Sequence, residues 1–306
     1  MKFDHILLIG FGGPTHPEEV KPFLEEVTRG LRIPEARLQE VERHYEQTGG
    51  SSPYNAHAFR LLEKLRQSLT AAGVALPVFI GMRNWHPFLK EAMQEIHQRG
   101  LRKGLGVILA PHRSPASFEK YLNSLEEAKR QAHAQAIQYE YLKPWHDHPL
   151  FIQAQADQVR AALNSLSAEE RSAAHLLFSA HSIPLEMAQG CRYEQEFKES
   201  SALVAQELRR PVWVAAYQSR SGNPRQSWLE PDVLSVIRQL KGEGKSRALL
   251  VPIGFLFDHT EVVYDLDIEA RLEAEKMELK YSRASTVMDH PKFVSMFTRL
   301  IQEQAA

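Results

Sequence analysis

Seven short apolar runs punctuate this chain: HILLIGF (5–11), PVFIG (77–81), GVILAP (106–111), IQYEYL (137–142), HLLFSA (175–180), PVWVAAY (211–217) and ALLVPIG (248–254). None exceeds seven residues, and most end at a Gly, a Pro or a polar residue, which reads as strand. Their near-continuous apolar character suits strands buried on both faces of a parallel sheet. Amphipathic helical patterns fill the gaps, over 17–30, 55–72, 87–99, 115–132, 149–163, 193–208, 231–241, 258–277 and 291–303. Strand–helix alternation from end to end predicts a doubly wound α/β architecture. With 306 residues the chain is long for one core and suited to two lobes. KPWHDHP (143–149), polar and holding two prolines, is the predicted linker.

Charge and cysteine content narrow the function. Basic residues number 37 and acidic ones 38, giving a net charge of −1. Nucleic acid as main partner needs a basic surplus, which is missing. The single cysteine, Cys191, builds no internal disulfide, zinc finger or iron–sulfur cluster, and a reducing cytoplasm is the expected setting. The longest apolar stretch, ALLVPIGFLF (248–257), is about half of what a spanning helix needs. Asp4 and His5 interrupt the place where a secretory signal would run. No transmembrane segment is expected; peripheral membrane contact stays open.

Three constellations follow predicted strands. GFGGPT (10–15) lets backbone approach a ligand, but it lacks the third glycine of a dinucleotide fingerprint and puts Pro14 where a helix should start. A tight strand-to-helix turn explains it equally. FSAHSIP (178–184) places His181 at the carboxyl end of a buried strand, where it serves as base, metal ligand or satisfied core histidine. Ser182 lacks a nucleophile elbow. In GFLFDHTEVVYDLDIE (254–269), Glu261, Asp265 and Glu269 recur every four residues. On an α-helix this stacks three carboxylates on one face, at a cost in stability unless cations share it. Such a ladder suits a hydrated divalent cation or protons; the bland alternative is a solvated acidic face. His259 reads as a helix-start residue, and His146 and His148 as solvated. Phe11, Trp85, Tyr121, Trp213 and Trp228 either line a pocket for a flat ligand or fill the core.

Taken together these motifs resemble ferrochelatases, which insert ferrous iron into a porphyrin in haem synthesis. The resemblance runs through GFGGP, YEQTGGSSP (45–53), FIGMRNWHPF (79–88), LAPH (109–112), FSAHSIP, AYQSR (216–220), WLEPDV (228–233) and the 254–269 segment. It implies two similar Rossmann-like lobes with parallel sheets and a cleft between them. The first lobe would span 1–142, completed by a C-terminal helix over 288–306. The second, 143–287, would carry the insertion residues. By position, His181 and Glu261 would be catalytic, and His181, Glu261, Asp265 and Glu269 would handle the metal. Phe11, Gly12, Arg29, Ser52, Arg83, Tyr121 and Trp228 would contact porphyrin. Iron(II) would be a substrate, with no cofactor required, and a haem-accepting protein a partner. The chain departs from the family where some members acting on coproporphyrin carry an iron-ligating tyrosine; Phe11 stands there and cannot ligate. GCRY (190–193) replaces the usual Gly-Asp-Pro-Tyr. LAPHRS (109–114) and the short chain lean to coproporphyrin III, Phe11 and MRNWHP (82–87) to protoporphyrin IX; coproporphyrin is slightly favoured. The rival readings are a cobalt chelatase of related fold, a non-catalytic porphyrin or haem carrier and, more distantly, an NAD-dependent oxidoreductase.

Overall fold

The computed structural model describes residues 2–30, 33–220 and 226–305. The chain divides into two compact units: Met1–Ala110 with Ala116–Pro144 and Asp289–Ala306, and Pro111–Pro115 with Trp145–Met288. They are called lobe 1 and lobe 2 below.

Lobe 1 holds β1 (His5–Gly10), β2 (Val78–Met82), β3 (Lys103–Ile108) and β4 (Gln138–Tyr141), all parallel, in the order β2-β1-β3-β4. Every residue of β1 and β2 is buried, as expected of strands covered by helices on both faces. Leu7, Ile9, Phe79, Met93, Ile96 and Leu125 anchor one core beneath the helices Leu89–Gln98 and Lys120–Gln131. The C-terminal helix Pro291–Ala305 packs on the helix Tyr54–Ala71.

Lobe 2 holds β5 (Ala174–His181), β6 (Trp213–Gln218), β7 (Arg247–Val251) and β8 (Lys280–Arg283), again parallel, in the order β6-β5-β7-β8. Both sheets therefore follow one scheme, with the first strand flanked by the second and third. In each, the chain changes direction between the first and third strands, and the crevice at their carboxyl ends is the expected ligand position.

The local reading needs some corrections. The strand Lys280–Arg283 and the helices Glu35–Gln47, Ala168–Ala173 and Leu185–Gln189 were not foreseen. KYSR is too polar to read as a buried strand; it forms because an edge position beside β7 buries it only in part. The 17–30 pattern starts as a 3-10 turn at Pro17–Glu19 and becomes α-helix at Val20–Val27. The 143–149 stretch is no loose tether. Trp145 is buried against Phe151, His146 bonds Glu199 at 2.9 Å, and His148 accepts from the Leu150 N–H as a helix cap. The two histidines are thus structural rather than solvated. His112 of the LAPH motif is also buried, bonded to Ser200 Oγ at 3.1 Å. Burial, helped by neighbouring His146, pushes its imidazole down to about 3, so it stays neutral.

Candidate active site

The carboxyl edge of lobe 2 gathers three segments that are distant in sequence. His181 is the last residue of β5 and sits in register with Gln218 at the end of β6. The segment after β7 packs directly on β5. A Cβ on Gly254 would lie 2.5 Å from that of Ala180, so only glycine permits this approach, and the Gly254 N–H bonds the Ser179 carbonyl at 3.0 Å. That contact places Glu261 beside His181, with Oε1 3.6 Å from Nε2. The Ser182 carbonyl accepts from His181 Nδ1, so the neutral ring keeps its lone pair on Nε2, facing the carboxylate. Two acceptors this close call for a proton or a cation between them. Burial alone would lower the His181 pKa. The nearby Glu261 carboxylate, the Ser182 carbonyl and Asp265 outweigh it, and the net shift is upward. Tyr193 Oη donates to the His181 carbonyl at 2.9 Å and fixes the strand end.

The acidic ladder lies on an unusual helix. The sequence predicts continuous α-helix over 258–277. The structure instead has a short α-turn at Thr260–Val262, a π-helix at Val263–Glu269 and α-helix at Ala270–Lys276. The Ala270 N–H reaches back to the Asp265 carbonyl, a five-residue step. The wider turn keeps the carboxylates coupled, because Asp265 feels both Glu261 and Glu269. His259 stands at the position before the first turn, with extended backbone and no side-chain cap hydrogen bond. Asp258 and Asp267 are taken up on another side: Arg283 bonds Asp267 at 2.6 and 2.8 Å and Asp258 at 3.0 and 3.1 Å. Asp265 accepts from Ser219 Oγ and, at 3.4 Å, from Gln218 Nε2, whose partner oxygen takes the Ser179 hydroxyl. Burial first, then the charges of Glu261 and Glu269, push Asp265 up to about 7 against the pull of Ser219. Gln218 and Ser219 were not singled out from sequence, although AYQSR contains them. The signal available was their place at a strand's carboxyl end. Among the described residues no group of three or more His, Cys, Asp or Glu is arranged to hold a metal ion. The structure brings His181 and Glu261 together, with Asp265 close enough to feel Glu261, Glu269 and His181.

In lobe 1 the corresponding crevice holds the 10–15 loop. Gly12 has φ +83°, and a Cβ there would lie 2.8 Å from Met82 Cβ. The Phe11 N–H donates to Tyr54 Oη at 2.8 Å, and the Phe11 carbonyl accepts from Asn84 N and Nδ2 at 2.9 and 3.1 Å. With its backbone fixed, Phe11 leaves 37% of its surface exposed beside Phe23 and Tyr54. Ser52 is buried under Gly13 and accepts from the Tyr54 N–H. Arg83 is half-buried, and Lys120 and Tyr121 both feel its charge. Arg29 is 75% exposed and pairs with Glu26 on its own helix end. Tyr121 belongs to the lobe 1 core at 6% exposure, packed with Leu125 and its neighbours. Trp228, in lobe 2, is half-buried and bridges the backbone of Pro184, just after the histidine motif. Its indole N–H has no hydrogen-bond partner among the described residues.

The sequence profile of ferrochelatases matches residues 4–305. A ferrochelatase from Rhodopirellula baltica is 38% identical over 303 residues, covering 99% of this chain and 86% of that protein. The chain belongs to the ferrochelatase family. Members of this family insert iron into a porphyrin in haem synthesis, and that enzymatic reaction is the one performed here; the matches do not favour a cobalt chelatase or a carrier. Two further relatives are coproporphyrin III ferrochelatases. That of Nocardia farcinica is 36% identical over 311 residues (99% of this chain, 88% of that one), and that of Mycobacterium tuberculosis 39% over 306 (99% and 86%). Among solved structures, SirB from Bacillus subtilis with Fe3+ aligns with a TM-score of 0.61 at 15% identity, covering 99% of this chain and 95% of that one. A cobalt complex of the sirohydrochlorin chelatase SirB from Bacillus subtilis subspecies spizizenii gives 0.59 at 14%, covering 98% and 94%. At such identities the likeness speaks for the fold: two Rossmann-like lobes with parallel sheets.

Proposed function

We propose that the porphyrin is coproporphyrin III and that His181 and Glu261 carry out the insertion step. The observation that carries the second part is the basic face of His181 standing 3.6 Å from a carboxylate. Insertion exchanges two pyrrole protons for one ferrous ion. Neutral His181 Nε2 takes the two pyrrole protons in turn, passing the first on through Glu261 before it accepts the second, and the Glu261 carboxylate stabilises the imidazolium, which is the sense of the raised pKa. Iron(II) tolerates both imidazole and carboxylate, so either group can hold it briefly while water leaves. Asp265 titrates near neutral pH and passes protons between Glu261 and Glu269, or accompanies the cation inward. A macrocycle bent out of plane exposes its nitrogen lone pairs, and side chains that favour this shape lower the barrier.

For porphyrin contact, Phe11 offers an exposed ring, Gly12 close backbone approach, and Arg29 and Arg83 cations for the carboxylates. Trp228 offers its half-buried ring. Ser52 and Tyr121, both buried, hold the loop and its floor. Iron is a substrate and no organic cofactor enters the scheme. Among the described residues no helix is long and apolar enough to cross a membrane. The proposed setting is the cytoplasm, with the metallated product passed to a haem-accepting protein. The coproporphyrin assignment draws on the two named relatives and on the lean of LAPHRS. Anaerobic ferrous insertion, followed by absorbance with coproporphyrin III and protoporphyrin IX side by side, tests it. Faster turnover with coproporphyrin is expected; a preference for protoporphyrin overturns the substrate assignment.

A further inference from the structure

One cavity in lobe 2 is lined by none of His181, Glu261, Asp265 and Glu269. It measures about 910 Å³, within the range of small-molecule sites. It runs beside the helices Pro149–Asn164 and Tyr193–Glu207, and a second hollow of about 480 Å³ shares Gln206, Arg209 and Arg210 with it. Its wall carries four arginines, Arg160, Arg171, Arg209 and Arg210, against two acidic residues, Asp147 and Glu207. Glu207 is already committed to Arg160 at 2.9 Å. Arg171 and Arg210 are held rigidly by backbone carbonyls: Arg171 donates to Leu163 and Leu166, Arg210 to Ala174 and to the Arg171 carbonyl. Those carbonyls satisfy only part of each guanidinium and leave its charge in place. Arg209, on the ridge between the two hollows, has no side-chain hydrogen bond or ion pair among the described residues. Its backbone takes φ +55° just past the end of the helix, a position where glycine is the usual residue.

We propose that this cavity binds a small organic or inorganic polyanion, held by Arg209 and by the carbonyl-oriented guanidinium groups of Arg171 and Arg210. Planar forks fixed in orientation suit phosphate or carboxylate oxygens, and their shared chemistry is multiple negative charge on a compact body. The site is separate from the insertion residues, so its occupancy is readable without iron or porphyrin.

The test is isothermal titration of the full chain with pyrophosphate and, separately, with citrate, at constant ionic strength. Saturable binding of at least one is expected, and the arm that binds more tightly identifies phosphate or carboxylate as the preferred class. Arg209→Gln, an exposed change, should weaken that binding tenfold or more, while its iron insertion without added anion stays at the level of the unaltered protein. Arg209→Lys should fall between, because it keeps the charge and loses the fork. Absence of saturable binding with both probes overturns the proposal, and so does undiminished affinity in Arg209→Gln.

Discussion

The two lobes share one strand order, yet their crevices carry opposite chemistry. In lobe 1 the loop after β1 presents Phe11 on a glycine-rich backbone pinned by Tyr54 and Asn84. In lobe 2 the last residue of β5, His181, faces Glu261, and Asp265 feels both Glu261 and Glu269. In the proposed mechanism the same topology serves a flat substrate in one case and the handling of protons and a cation in the other. Parallel sheets with covered faces spend their interior residues on stability, which leaves the carboxyl-end turns free to differ.

The proposal assigns chemistry to lobe 2 and substrate shape to lobe 1, and substitutions can break it. The largest effect is expected from His181→Ala: iron insertion falls to background while fluorescence quenching still reports porphyrin binding. Normal turnover would remove lobe 2 from the mechanism. Glu261→Gln keeps the shape and removes the charge. Its kcat should drop by about 10²-fold or more, the scale of a lost acid–base or electrostatic partner.

Next comes the ladder. Insertion by the unaltered protein should rise with pH through about 7, as Asp265 ionises. Ser219→Ala removes the hydroxyl that favours the carboxylate, so this limb should move to higher pH by about half a unit to one unit. An unmoved profile would show that Asp265 does not limit the rate. The same group is a stability liability. Its folded pKa lies above the ordinary carboxylate value, so the stability it contributes is complete below about pH 4 and lost as pH rises through about 7. Asp265→Asn should therefore raise Tm at pH 8 by about 2–6 °C, while lowering turnover. A lower Tm would contradict the repulsion argument.

In lobe 1 the expected effects are on binding. Gly12→Ala puts a side chain on a left-handed backbone and against Met82; it should cost about 1–3 kcal/mol of stability and raise KM for porphyrin more than it lowers kcat. Equal loss in kcat would place chemistry in lobe 1 after all. The smallest effect should come from the amino edge of the lobe 2 sheet. There Glu170 is held at about 2 by Lys280, the Ser167 N–H and Arg247. Its contribution is present above pH 4.5 and lost as pH falls toward 2. Glu170→Gln should lower Tm slightly at pH 7, converge with the unaltered protein near pH 2, and leave insertion unchanged.

Most strands were legible because apolar runs buried on both faces leave a direct mark in sequence. Lys280–Arg283 left none, since partial burial at a sheet edge needs no such run. His181 drew attention by ending a predicted strand, and Glu261, Asp265 and Glu269 by recurring every four residues after one. Ser219 and Gln218 did not, because their role depends on which strand lies beside β5. For Tyr121 the sequence leaves pocket and core both open, and the structure packs its ring in the lobe 1 core.

Composition, the alternation of runs and the strand-end motifs are local properties of the chain, and they suffice for the α/β class, for two lobes of parallel sheet and for the histidine and carboxylates of lobe 2. The 3.6 Å approach of His181 to Glu261, the π-helical course of the ladder and the raised pKa of Asp265 arise only once the segment after β7 lies against β5. Electrostatic coupling depends on separation and burial, and neither exists for residues 80 positions apart until tertiary packing brings them together.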